Sequence, residues 1–260
     1  MERGAQVTIF IIVGIIIISA VVLFLIFRSD VISDITGSGR EANPKSFLEV
    51  CLEDKINEGV RIISEHGGSI NPVLYRTFKF SDEDKYTNIS YLCYTQNYYV
   101  PCVNQEPMLM NHIKKEIQDY IAVDVASCFD ELKGSLENQG YLLSGPGYSG
   151  EFDVGLTEKK IIINIDGELT LTKSGETIRQ EGFKIIIPSR LYETAFVVQE
   201  IVSQEARFCK FDYLNYMQNY PEFKIIPFSV EDIEIYRVKH KDSPYFFKFV
   251  IKCNPENILR

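Results

Sequence analysis

Residues Val7 to Phe27 form an unbroken apolar run, VTIFIIVGIIIISAVVLFLIF, with no charge and only Thr8 and Ser19 as polar members. At a helical rise of about 1.5 Å per residue, this run spans roughly 32 Å, the thickness of a bilayer's hydrocarbon core. No polar face exists along it, which sets it apart from a core helix of a globular domain. A cleavable signal has a shorter apolar core, of about 7 to 15 residues, followed by a small-x-small site. Here the run ends in Leu23-Phe24-Leu25-Ile26-Phe27. The expectation is an uncleaved transmembrane anchor over residues 1–28, with the lipid bilayer as partner of Val7 to Phe27. Gly14 has Ile18 four places on, so no small-xxx-small dimer seam is written into the run.

Flanking charge is nearly balanced, with Glu2 against Arg3 and with Arg28 against Asp30 and Asp34. Orientation therefore rests on cysteine usage. All six cysteines follow the anchor, and an even number in a modest domain suits disulfides and an oxidising compartment. The expected location is the cell membrane, single-pass, with the C-terminal domain extracytoplasmic. The sequon Asn88-Ile89-Ser90 is compatible with that placement.

The whole chain carries −9, and residues 1–28 hold Arg3, Arg28 and Glu2, a net of +1, which leaves −10 on residues 29–260. An acidic domain without a basic stripe excludes nucleic acid as an expected partner. The chain has no tryptophan but 15 tyrosines and 17 phenylalanines. Tryptophan is a common stacking platform for sugars, so carbohydrate binding is disfavoured.

Residues 29–42 are a polar tether with glycine and serine. Asn43-Pro44 is an N-cap followed by a first-turn proline, and Gly67-Gly68 is a stop. Between them Leu48, Cys51, Leu52, Ile56, Val60 and Ile63 recur at helical spacing. Residues 70–105 read as short strands and loops, with Asp82-Glu83-Asp84 as a solvated loop. Pro107 opens a second helix with its stripe from Leu109 to Leu136. The two helices are expected to pack as a pair around a strand-rich insertion, a domain over 43–143.

The run Ser144-Gly145-Pro146-Gly147-Tyr148-Ser149-Gly150 reads as a turn between that domain and a second one, 144–260. There Asp166-Gly167 signals a hairpin joining Lys160–Ile165 to Glu168–Thr172. Ser174-Gly175 signals the next turn. Pro188-Ser189 starts a third helix, and three strands close the chain. The expected fold class is α+β: an N-terminal transmembrane helix, the helix pair with its insertion, and an antiparallel sheet with one packed helix.

Cys93 and Cys102 bracket a short hairpin-like segment. Cys51 and Cys128 lie on the inner stripes of the paired helices, and Cys209 and Cys253 remain. Of fifteen pairings this is the expected one, against the reading that several are buried thiols. Tyr75, Tyr86, Tyr91, Tyr94, Tyr98 and Tyr99 fall within about 25 residues, and Tyr94, Tyr98 and Tyr99 lie in the loop that Cys93 and Cys102 would close. These three make a candidate binding loop, against the reading of strand tyrosines packing on a sheet.

Catalytic motifs are weak. Gly145-x-Gly147-x-x-Gly150 follows a helix and precedes a strand, the reverse of a dinucleotide turn. Ser149 is followed by Gly150-Glu151, which breaks a nucleophile elbow. His66, His112 and His240 share no metal-ligand spacing, and no Cys-x-x-Cys occurs. No catalytic, metal-binding or cofactor residue is assigned, and no cofactor is expected.

The string from Arg3 to Ile15, RGAQVTIFIIVGI, resembles the start of uncharacterised archaeal single-pass membrane proteins with a type IV pilin-like N-terminus. The stretch from Phe47 and Cys51 through Gly67-Gly68 and the closing Pro244-Tyr245-x-Phe247-x-Phe249 are similar to the same group. Pilin-like precursors carry a glutamate near the start of the apolar run, and this chain has none there. The expected role is a membrane-anchored extracytoplasmic protein that binds a protein partner at the cell surface or builds cell-surface structure. A pilin-like subunit and a membrane-tethered hydrolase are the alternatives.

Overall fold

The computed structural model describes residues 43–97 and 100–253, together with Ser19. The rest of the run Val7 to Phe27, the tether and the loop residues Tyr98 and Tyr99 lie outside the described residues. Met1–Asn43 is one unit and Pro44–Arg260 a second, compact one. Among the described residues no helix is long and apolar enough to cross a membrane.

The second unit is α+β. Helix α1 (Pro44–His66) buries Leu48, Leu52, Ile56 and Ile63 completely. It stops because Gly67 and Gly68 take positive φ, 78° and 104°, and Gly68 N–H donates to Ile63 O at 2.8 Å. A Cβ on Gly67 would sit 2.8 Å from Lys248 O, so glycine also permits the close approach of a strand. Helix α2 (Leu109–Asn138) lies against α1, with Ile113, Ile117, Ile121 and Val125 fully buried. Cys51 and Cys128 bridge the pair, with their Cα atoms 6.0 Å apart.

Between these helices run β1 (Tyr75–Phe78), β2 (Thr87–Tyr94) and β3 (Val103–Asn104). After α2 come β4 (Leu142–Thr157), β5 (Lys160–Lys173) and β6 (Glu176–Pro188), then α3 (Leu191–Phe208) and the short α4 (Tyr213–Asn219). Strands β7 (Phe223–Val230), β8 (Ile233–His240) and β9 (Phe247–Lys252) follow.

The strands form two sheets, where the sequence suggests one antiparallel sheet in the second half. One is three-stranded and antiparallel, β4-β5-β6. The other is six-stranded and mixed, in the order β1-β2-β9-β8-β7 with β3 beside β2. Its one parallel pair is β2 with β9. Strands from both sides of residue 144 therefore share this sheet. Helices α1 and α3 pack on it, and α2 packs on β4.

Two turn signals resolve differently from expectation. Asp166-Gly167 lies inside β5, which continues to Lys173, while β4 and β5 join at Glu158-Lys159. A Cβ on Gly167 would meet Gly147 O at 2.9 Å and the Phe129 ring at 3.2 Å. Glycine serves here to let two backbones and a helix aromatic come together, at a register shift between Ile165 and Glu168. The expected turn 144–150 is likewise part of β4, bulged between Ser144 and Gly147 and between Tyr148 and Phe152. β4 packs on α2 here, and Tyr148 stacks on Phe129.

The acidic segment Asp82-Glu83-Asp84 is more than a solvated loop. Asp82 accepts two hydrogen bonds from Arg237, at 3.0 and 2.9 Å, and Glu83 pairs with the buried Lys248 at 2.6 Å. The guanidinium holds the Asp82 carboxyl below its usual range. Arg237 also lies between the rings of Phe80 and Phe246, at 4.6 and 4.5 Å. This clamp folds the β1–β2 loop onto the sheet over Ile89, Ile235 and Val250.

The remaining bridges are Cys93–Cys102, across the β2–β3 loop, and Cys209–Cys253, from the end of α3 to the end of β9. They adjoin, since Cys102 N–H contacts Cys253 Sγ at 3.3 Å. All six cysteines are thus in bridges. Thiol counting on denatured, unreduced protein is expected to give no free thiol. Replacing Cys51 and Cys128 by serine opens a 77-residue loop, and the chain-entropy relation puts the loss at about 4.5 kcal/mol, measured by denaturant unfolding.

Beneath α3, Glu205 is buried against the sheet and accepts a hydrogen bond from the buried Tyr236 hydroxyl. Burial raises the Glu205 carboxyl above its ordinary 4.5. A raised folded-state pKa contributes stability that is complete below the unfolded value and is lost as pH rises through the folded one. Glu205→Gln keeps an acceptor for Tyr236 and removes the charge. Its melting temperature is expected to exceed the parent's at about pH 7.5, with the advantage shrinking toward about pH 4.

Candidate functional site

Helix α3 ends where Cys209 adopts a left-handed conformation, φ 47°, with its N–H bonded to Glu205 O. The bridge to Cys253 fixes that reversal. Asp212 then caps α4, its carboxylate accepting from Asn215 N–H at 3.1 Å. Helix α4 buries no residue fully and rests beside β7, where Ile225 N–H contacts Met217 Sδ at 3.2 Å. It is held off α3 by this geometry, and a groove of about 1020 Å³ opens between them.

One wall of the groove is the outer face of α3, with Glu193, Phe196, Glu200 and Gln204. The other is α4, with Asp212, Tyr216 and Tyr220. Phe211, Phe223 and His240 add to the lining. The rings touch in sequence: Phe211 and Tyr216 centroids are 5.5 Å apart, and those of Tyr216 and Tyr220 are 4.7 Å apart. Phe223 meets His240 edge-on at 5.3 Å. Asp242 N–H donates to His240 Nδ1 at 3.1 Å, so the neutral ring carries its proton on Nε2.

Arg190 closes one end. It donates to Glu193 Oε1 at 3.0 Å and to Asp242 Oδ2 at 2.9 Å. Lys159 N–H donates to the same Glu193 oxygen at 3.0 Å. Glu193 Oε2 is buried, with no hydrogen-bond partner among the described residues. Behind Arg190 lies a second cavity of about 450 Å³, bounded by Asn57 and Ser64 of α1, Thr194, Ser243 and Tyr245.

Five carboxylates line the groove, from Glu158, Glu193, Glu200, Asp212 and Glu222, against the basic Lys159 and Arg190. Burial, with Glu200, Tyr220 and Glu222 close by, pushes the Tyr216 hydroxyl up to about 12. The shift follows the sign expected of a partly desolvated phenol in a negative field.

Among the described residues, those singled out in the sequence lie elsewhere, His240 apart. Tyr94 is half-buried at the end of β2, packed edge-on against Tyr91 at 5.0 Å. The six cysteines sit in their bridges. His66 Nδ1 contacts Ile70 O at 2.9 Å. His112 contacts Ser69 at 3.0 Å and lies between Glu106 and Glu116. Only His240 reaches the groove. Among the described residues no group of three His, Cys, Asp or Glu is placed to hold a metal ion.

Two signals could have found the groove. Phe208, Phe211, Tyr213, Tyr216 and Tyr220 crowd one short segment, and Asp212 stands before the three tyrosines as a helix cap. Comparison with protein-family models, with curated proteins and with solved structures finds no match.

Arg190→Ala would leave the Glu193 carboxylate half-buried without its cation. The expected cost is about 2 kcal/mol in chemical unfolding. Glu193→Gln in the same background should recover part of it, which a double-mutant cycle reads directly.

Proposed function

We propose that this chain is a membrane-anchored extracytoplasmic protein whose acidic α+β domain, Pro44 onward, binds a protein partner at the cell surface. The observation that carries the reading is the closure of all six cysteines into three bridges, one of them spanning 77 residues. Such bridging persists in oxidising compartments and is rare where glutathione keeps thiols reduced. The apolar run Val7 to Phe27 supplies an anchor of the right length. The groove supplies a concave, aromatic-lined surface suited to recognition.

Localisation is tested with an epitope tag after Arg260. The protein is expected to stay in the membrane pellet through an alkaline carbonate wash, and protease added to intact cells should remove the tag. Release by the wash, or protection of the tag until lysis, would overturn the reading.

A further inference from the structure

We propose that the groove between α3 and α4 is the docking site for a lysine- or arginine-bearing peptide segment of another protein. The proposal rests on the reading of the domain as a surface binder and names the chemistry of its partner.

Charge complementarity selects the occupant. Five carboxylates and two basic side chains line the groove. Of the two, Arg190 is already shared between Glu193 and Asp242. Glu193 is matched by that pair, which leaves Glu158, Glu200, Asp212 and Glu222 against Lys159. The field in the groove is therefore negative, and an anionic segment would be repelled.

The aromatic lining narrows the choice further. The faces of aromatic rings carry negative potential and attract ammonium and guanidinium groups. Phe196 and Tyr220 are about half exposed, at 56% and 48%. They offer apolar area to the aliphatic stems of long basic side chains, whose charged heads can then reach Glu200 or Glu222. A small amine would use one ring and one carboxylate, yet the rings and carboxylates run along two helices and the turn into β7. An extended segment with several cations matches that spread. A second copy of the chain is a poor match, because residues beyond the anchor carry −10 overall, the −9 of the chain less the +1 of residues 1–28.

Backbone geometry supports a preformed site. The αL reversal at Cys209, the Cys209–Cys253 bridge and the Asp212 cap set α4 before any ligand arrives. Preorganisation lowers the ordering cost of binding.

The test uses the full-length protein in zwitterionic detergent and a fluorescein-labelled nonapeptide of alternating lysine and alanine. A glutamate–alanine nonapeptide serves as the control. The lysine peptide is expected to bind and the glutamate peptide not to. Binding should weaken about tenfold between low salt and half-molar salt, as screened charges require. The double variant Glu200→Gln, Glu222→Gln should weaken it about tenfold at low salt. Tyr220→Ser should weaken it at both salt concentrations, since ring contacts are less screened. All three side chains are exposed, so melting temperatures are expected to stay near the parent's. If one variant unfolds, the other decides.

Absence of lysine-peptide binding overturns the proposal, as does binding that neither variant weakens. A dimer by light scattering that the double variant dissociates would assign the groove to a second copy and overturn it too. These outcomes are separate from the carbonate and protease assay. Failed peptide binding with an accessible tag removes only the groove proposal, while peptide binding with a protected tag removes only the surface placement.

Discussion

The parallel pairing of β2 with β9 holds the domain together. Tyr91, Cys93 and Tyr94 align with Val250, Ile251 and Lys252, so segments about 160 residues apart lie side by side. Parallel strands need a crossover, and here nearly the whole domain is that crossover. Between the two strands come α2, the small sheet, α3 and the β7–β8 hairpin. Two bridges meet at this junction, one from Cys93 on β2 and one from Cys253 just past β9. The Asp82–Arg237 and Glu83–Lys248 pairs lie on the face of the same sheet.

The groove depends on that junction. Cys253 fixes where β9 ends, the bridge carries this to Cys209, and Cys209 turns the chain out of α3. Helix α4 is too short to be stable by itself. Its position is inherited from the bridge, from the Asp212 cap and from the rings of Phe211 and Tyr216. The groove is thus a by-product of how the end of α3 is tied to the end of β9.

Helices were legible in the sequence because their signals are local. The stripe of α1 and the Gly67-Gly68 stop need no knowledge of the partner. The same stripes put Cys51 and Cys128 on facing sides, where the structure bridges them. Asp166-Gly167 misled because a hairpin signal and a close-approach glycine look alike in one dimension. Only the position of Gly147 and Phe129 tells them apart. The parallel pairing was illegible for a related reason: strand patterns give faces, and neighbours across a long crossover leave no mark. Helix α4 is illegible in the sequence because seven residues carry too little periodicity, and the groove it walls is illegible with it.

Cys51 lies within the first eight residues of α1, and its bridge runs to Cys128, deep in α2. Tension arriving through the segment ahead of Pro44 would peel only those few residues before reaching a covalent stop. From there the load passes to α2 and the sheets it packs on, so α1 cannot be unwound stepwise from its start. The bridge acts as a strain relief, like the clamp that keeps a pulled cable from tearing at its socket.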